Sequence, residues 1–152
     1  MLSEQKTGPL DSQYAKPLII IALSLLGAGV IGLLEGAFVG VLLGYGINLV
    51  IYSIISFGVF VAFSVMWIGL DNFGRALLNV TAAAAAVSLL GFVLRLYVPL
   101  PILVRPLISI VAYSLLLAHL EDIEGKEAFL IGITTNVIIF ILTITLLTTL
   151  LQ

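Results

Sequence analysis

The chain of 152 residues contains no cysteine and very few charged side chains. Without cysteine it can form no disulfide, no iron–sulfur cluster and no thiol nucleophile. Only 9% of its residues are charged and 62% are hydrophobic, whereas soluble domains carry about 25% charged residues. So few charges cannot cover a water-exposed surface. The composition therefore predicts a chain whose surface faces lipid or other membrane protein subunits.

The sequence also lacks the motifs that mark most catalytic and nucleotide-binding sites. It has no HExxH, no GxSxG and no phosphate loop such as GxxxxGK. Its one histidine, His119, cannot supply a pair of axial haem ligands. A net charge of −2 without a basic run gives no reason to expect nucleic acid. We therefore predict a non-enzymatic protein with no cofactor, no metal site and no nucleic-acid partner.

Long apolar runs dominate what is present, and they predict an all-α integral membrane bundle of about five transmembrane helices. A transmembrane helix needs about 20 mostly apolar residues, and an open sheet edge in hydrocarbon would leave backbone groups unsatisfied. Residues 1–16 form a polar N-terminal tail, and residues 17–152 form the transmembrane domain. The predicted spans are residues 17–43, 48–70, 76–98, 102–120 and 128–151.

Two positions compete for the turn between the first and second spans. Residues 44–48, Gly-Tyr-Gly-Ile-Asn, combine the residue types that most often interrupt regular structure. The rival is Glu35-Gly36, which would leave a second segment of about 34 residues, longer than one bilayer crossing requires. We place the turn at residues 44–48.

The distribution of lysine and arginine predicts the orientation. Five spans put both the N-terminus and the connections near residues 71–76 and 121–127 on one side. That side carries four cationic residues: Lys6, Lys16, Arg75 and Lys126. The other side carries Arg95 and Arg105. Because cytoplasmic loops are enriched in Lys and Arg, we predict a cytoplasmic N-terminus, with Gln152 on the opposite side.

Small residues recur at every fourth position in the first apolar run, in the pattern of a glycine zipper: Ala28, Gly32, Gly36, Gly40 and Gly44. Small residues let helix backbones approach closely in lipid, where no hydrophobic effect drives helices together. One interpretation is internal packing of the first span on its neighbours. The other is a seam between the subunits of a homo-oligomer.

Glu35 is the only acidic residue deep inside an apolar run. A carboxylate there is costly and usually faces a protein interior or water. Arg95 and Arg105 lie toward the same side and are its candidate partners in a structural ion pair. The alternative interpretation is that Glu35 is a proton or cation site on a transport pathway.

Residues 72–147 resemble the Yip (Ypt-interacting protein-like) family of five-span membrane proteins. The resemblance rests on a Phe-Gly-Arg loop at residues 73–75, an Ala-rich span, Ser-Leu-Leu-Gly at 88–91, a Pro-containing bend at 99–101, Ala-Tyr-Ser-Leu-Leu-Leu at 112–117, a polar loop at 121–126 and Glu-Ala at 127–128. The Leu-Leu-Gly-Tyr element at residues 42–45 also looks like a short element of some members. The resemblance implies five spans and a cytoplasmic N-terminus. In eukaryotic relatives it also implies a scaffold or adaptor in membrane trafficking with small-GTPase partners.

Three functional hypotheses follow. The first is a non-enzymatic scaffold or partner-binding membrane protein, Yip-like in membrane organisation or trafficking. The second is a small oligomeric transporter or channel subunit with Glu35 at the pathway. The third is an accessory subunit of a larger membrane complex. The expected partners are membrane lipids together with other membrane subunits or further copies of this chain.

Overall fold

The protein is described by a computed structural model that covers residues 10–68, 72–101 and 104–150. These residues form five α-helices and one short π-helical segment, Ser64–Ile68, that continues the second helix. The helices are α1 Leu10–Leu34, α2 Phe38–Phe63, α3 Phe73–Tyr97, α4 Val104–Glu121 and α5 Gly125–Leu150. No strand occurs in this part of the chain, and the all-α prediction is confirmed. Residues 1–9 of the predicted tail, and the predicted span ends at 69–70, 102–103 and 151, lie outside the described residues.

α3 is the central helix, and at its most buried point it carries small side chains on all of its faces. Four consecutive alanines, residues 82–85, are fully buried, and such small side chains let neighbouring backbones come close. α3 packs on α1, α2 and α4. The outer surface of the bundle is formed instead by large apolar side chains such as Leu26, Leu34 and Leu115, each at least two-thirds exposed. Apolar groups outside and small or polar groups inside are what a lipid environment favours.

The five helices close into a ring in the order α1, α2, α5, α4, α3, since each adjacent pair in that order is in contact, including α3 with α1. A further contact joins α2 to α3 across the ring. One hydrogen bond of that contact is buried, with the Tyr45 hydroxyl donating to the Ala85 carbonyl at 3.1 Å. The ring therefore divides into an α1–α2–α3 group and an α2–α3–α4–α5 group.

The turn between α1 and α2 lies at Glu35-Gly36-Ala37, so the prediction that placed it at residues 44–48 was wrong. Gly36 has a positive φ of 64°, a conformation that costs other L-residues about 1–2 kcal/mol. The Gly36 amide donates to the Leu33 carbonyl and the Ala37 amide donates to the Gly32 carbonyl. This pair of bonds is the Schellman motif, in which a glycine ends a helix.

Residues 44–48 belong to α2, where they adopt ordinary helical conformations. Tyr45 is fully buried, and neither Gly44 nor Gly46 has a positive φ. A turn at Glu35 does make the second helical segment longer than one bilayer crossing requires, but that length does not exclude it. α2 and its π-helical continuation together run from residue 38 to 68, about 46 Å at the helical rise. A segment longer than the bilayer thickness is accommodated by tilt or by projecting into the headgroups.

Three helices, α1, α3 and α5, begin earlier than predicted, at Leu10, Phe73 and Gly125. α1 begins at Leu10 and includes Pro17, so residues 10–16 of the predicted polar tail are helical. α3 begins at Phe73 because the Asn72 side chain accepts a hydrogen bond from the Arg75 amide at 3.1 Å. Asn72 is therefore the N-cap of α3, because its side chain accepts from a backbone amide that has no partner within the helix.

The predicted small-residue stripe does not run along one helix. Ala28 and Gly32 lie in α1, Gly36 lies in the turn, and Gly40 and Gly44 lie in α2. A Cβ atom on Gly32 would come within 2.9 Å of the Phe38 Cα atom, whereas one on Gly40 would meet nothing within 4 Å. Gly32 therefore permits the close α1–α2 approach, and Gly40 takes no part in it.

Candidate functional site

A cavity of about 250 Å³ lies among α2, α3, α4 and α5, where α3 and α5 do not pack closely on each other. A single water needs only about 10–15 Å³ of such volume, so the cavity has room for a small molecule. Six of its lining residues carry polar side chains: Asn48, Tyr52, Ser88, Arg95, Ser109 and Asn136. We call this space the α2–α5 cavity.

The polar lining of the α2–α5 cavity reaches the middle of the spans. Asn48 lies ten residues from the start of α2 and Ser88 nine residues from the end of α3, distances of about 14–15 Å along each helix. That is about half of the 30 Å hydrocarbon thickness. Arg95 and Ser109 lie nearer the helix ends that share a side with the α1–α2 turn. We call this the Glu35 side, and the opposite side the N-terminal side.

Two side-chain hydrogen bonds hold the inner part of the cavity together. The Ser88 hydroxyl donates to Asn48 Oδ1 at 3.2 Å, which joins α3 to α2. The Asn136 amide donates to the Tyr52 hydroxyl at 3.0 Å, which joins α5 to α2, and also to the Gly132 carbonyl at 2.8 Å. Buried polar groups in a membrane need such partners, because hydrocarbon offers none.

An aromatic pair lies at the inner end of the cavity, where Tyr52 is a lining residue. The Tyr52 ring lies against that of Tyr113, with centroids 5.6 Å apart. On the N-terminal side of this pair, the Thr135 hydroxyl is buried and makes no hydrogen bond within the described residues. Buried hydroxyls of this kind are normally satisfied by ordered water.

A separate polar contact fixes the N-terminal side of the bundle. Asn79 is buried in α3, and its amide donates to the Leu120 carbonyl at 3.0 Å and to Glu121 Oε1 at 2.8 Å. The last residues of α4 are thereby tied to the second turn of α3. Asn79 also opens a glycosylation sequon, Asn79-Val80-Thr81, but its burial makes it a structural residue.

Glu35 lies at the surface, in the turn between α1 and α2. Its Oε1 accepts a hydrogen bond from the Tyr97 hydroxyl at 2.9 Å. The predicted ion pair is not found, since no salt bridge joins Glu35 to Arg95 or Arg105 in the described structure. Arg95 lines the α2–α5 cavity, and the Arg105 Nε atom is buried without a hydrogen-bond partner. The three predicted residues therefore do not form one site.

Glu35→Gln should change the free energy of unfolding by less than about 1 kcal/mol, because an exposed hydrogen bond contributes little. Tyr97→Phe should have a similarly small effect, and the double variant should be no less stable than either single variant, since both remove the same bond. Denaturant unfolding followed by circular dichroism in detergent measures all three. A large loss of unfolding free energy in Glu35→Gln, recovered by a second change at Arg95, would instead support the predicted ion pair.

The described residues contain no group of three or more His, Asp or Glu side chains placed to hold a metal ion. They do contain five helices that are long and apolar enough to cross a membrane. Together with the apolar outer surface, these helices define the class: the chain is an integral membrane protein of the polytopic α-helical type. No protein-family model, no curated protein and no solved structure matches it. The resemblance to the Yip family therefore stays a prediction, and function has to be argued from the site.

Proposed function

We propose that this protein is a non-enzymatic membrane protein that binds a small polar solute in the α2–α5 cavity. The observation that carries the proposal is the depth of the polar lining, with Asn48, Ser88 and Asn136 all lining the cavity within apolar spans. Polar side chains inside a membrane are costly and commonly mark a binding site or a substrate pathway. The proposal retains the transporter hypothesis but moves its site from Glu35 to the cavity.

The shape of the cavity supports binding from the Glu35 side. Arg95 and Ser109 line its outer part, whereas Tyr52 lines its inner end and packs on the ring of Tyr113. A polar site reached from one side of the membrane suits a solute-binding protein, and it resembles one of the two states of an alternating-access transporter. Passage across the membrane would require the two tyrosine rings to separate.

Cysteine labelling in nanodiscs tests whether water fills the cavity. The natural chain has no cysteine, so a single introduced cysteine is the only reactive thiol. Ser109→Cys places it at the cavity, and the matched control Val111→Cys places it on the outer face of the same helix, where Val111 is 50% exposed. Because only the thiolate reacts and it forms in water, Ser109→Cys should react with a maleimide roughly tenfold faster or more. Equal, slow labelling of both variants would show a dry cavity.

A second candidate is the scaffold or accessory-subunit function, and the last turns of α5 favour it. Residues 140–146 are all exposed. Leu142, Thr143 and Leu146 line a pocket beside α2, but the described bundle leaves most of the surface of this segment uncovered. The Thr143 and Thr145 hydroxyls bond back to carbonyls of α5 itself. Purification from native membranes followed by mass spectrometry tests this candidate, and a stoichiometric membrane subunit would support it.

We also propose the cytoplasmic N-terminus. The described cationic residues of the N-terminal side, Lys16, Arg75 and Lys126, outnumber Arg95 and Arg105 on the Glu35 side, which agrees with the positive-inside rule. In this orientation the α2–α5 cavity opens away from the cytoplasm. Reporter fusions at both termini test the orientation, and reporters on one common side would contradict it.

A further inference from the structure

The lining of the α2–α5 cavity carries a net positive charge. Arg95 is the only charged residue among its lining residues, and no carboxylate lines it. Within the described structure Arg95 forms no salt bridge and no hydrogen bond. The acidic residue on the same side, Glu35, is held by Tyr97. Arg95 is exposed at the outer end of the cavity, so its positive charge is uncompensated within the described structure and is available to a negatively charged ligand.

The hydrogen-bonding groups of the cavity are mainly donors. The Asn48 amide N–H groups are unused, because Ser88 bonds only to the Asn48 carbonyl oxygen. The Tyr52 hydroxyl accepts from Asn136, so its own proton remains available. In the described structure Ser109 makes no side-chain hydrogen bond. The Arg95 guanidinium adds five N–H donors. Among the side-chain carbonyls of the lining, only that of Asn136 is unused, so donors outnumber carbonyl acceptors.

We propose that the α2–α5 cavity binds a phosphate group, with Arg95 as the charged ligand and Asn48, Tyr52 and Ser109 as neutral donors. Donors from three helices approach a common space from different directions, which suits a tetrahedral oxyanion. Guanidinium groups bind phosphate through paired, charge-assisted hydrogen bonds. A cation would lack a counter-charge here, and an apolar ligand would leave the donors of the cavity, including the buried Tyr52 hydroxyl, without a partner. The phosphate can belong to a phospholipid headgroup or to a free small molecule.

This inference rests on the proposed function, since it names the chemical class of the solute. The test uses the full chain in dodecyl maltoside, a detergent without phosphate. One arm titrates inorganic phosphate at constant ionic strength, with chloride as the reference salt. The other arm titrates a short-chain phosphatidylglycerol below its micelle concentration. The readout in both arms is the melting temperature, which a ligand raises when it binds only the folded state.

The expected result is a saturable rise in melting temperature in one arm, and that arm identifies the source of the phosphate. Arg95→Gln should weaken the apparent affinity about ten- to hundredfold, as expected for the loss of a charged hydrogen bond. Arg95→Lys should retain part of it. Lys126→Gln, which removes a cation at the first turn of α5 on the N-terminal side, is the matched control and should bind like the natural chain.

No shift in either arm, or an equal shift in Arg95→Gln and the natural chain, would overturn the phosphate inference. The cysteine experiment separates this failure from that of the proposed function. If Ser109→Cys labels rapidly but phosphate has no effect, the cavity is open to water and its solute is not a phosphate. If the cysteine is also unreactive, both proposals fail.

Discussion

Replacing Gly32 with leucine should lower the free energy of unfolding by about 1–3 kcal/mol or more, the usual cost of overpacking. A Cβ atom at this position would lie 2.9 Å from the Phe38 Cα atom and 3.3 Å from the Val41 Cβ atom. The nearest obstacle is backbone, so it cannot be relieved by a change of rotamer. The α1–α2 contact would have to open instead. Denaturation in detergent, followed by circular dichroism, measures the loss.

Gly40→Leu is the matched control, because it makes the same chemical change four residues beyond the turn. A Cβ atom on Gly40 would meet nothing within 4 Å, and we expect this variant to unfold like the natural chain. If instead Gly40→Leu is the damaging change and also reduces the size of the particle on chromatography, the stripe is a seam between copies of the chain. The close α1–α2 packing would then not be the reason for the small residues.

Asn79→Leu should cost about 1–3 kcal/mol, the penalty for leaving buried polar groups without a partner. The Asn79 amide is the donor to both the Leu120 carbonyl and the Glu121 carboxylate, and a leucine donates to neither. α4 should therefore lose its attachment to α3 at the N-terminal side. Thermal unfolding in detergent measures the loss, and hydrogen exchange at the end of α4 should increase.

Thr81→Val is the control for this second prediction. Its hydroxyl bonds only to the Leu77 carbonyl of the same helix, so its removal breaks no contact between helices. Thr81→Val also destroys the sequon, which separates any effect of glycosylation from the effect of burial. Equal stability of Asn79→Leu and the natural chain would show that the α3–α4 attachment contributes nothing.

The fold class could be predicted because it depends on composition and on the length of apolar runs. Five runs of at least 18 residues gave five helices, and the third, fourth and fifth agree with the predicted spans to within about one helical turn. The polar connections were predicted too long. Helix capping, as at Asn72, extends a helix into polar residues, and hydropathy cannot detect that.

The first turn was misplaced because a glycine in a membrane sequence can either end a helix or lie inside one. Gly44 and Gly46 are ordinary helical residues of α2, whereas Gly36 ends α1 with a positive φ. The polar neighbour Glu35 was a signal for the correct position, since a carboxylate is far less costly at a helix end in the interface than in the hydrocarbon. Weighing span length above this cost led to the wrong choice.

The candidate site was missed because its parts are far apart in the sequence. Asn48, Ser88 and Asn136 lie on three different helices, and nothing in the sequence shows that they face one cavity. A usable signal was present, because an asparagine near the middle of an apolar span requires a polar partner. Arg95 was singled out for its charge, but the partner proposed for it, Glu35, is bonded to Tyr97 instead.

If water reaches the middle of the membrane from the Glu35 side, a water-soluble thiol reagent should reach Ser88→Cys in sealed proteoliposomes. A small, negatively charged, membrane-impermeant methanethiosulfonate is added outside. Two exposed cysteines report how the molecules are oriented: Ala37→Cys on the Glu35 side and Lys16→Cys on the N-terminal side. We expect the labelled fraction of Ser88→Cys to equal that of Ala37→Cys. No labelling, or a fraction that follows Lys16→Cys, would contradict it.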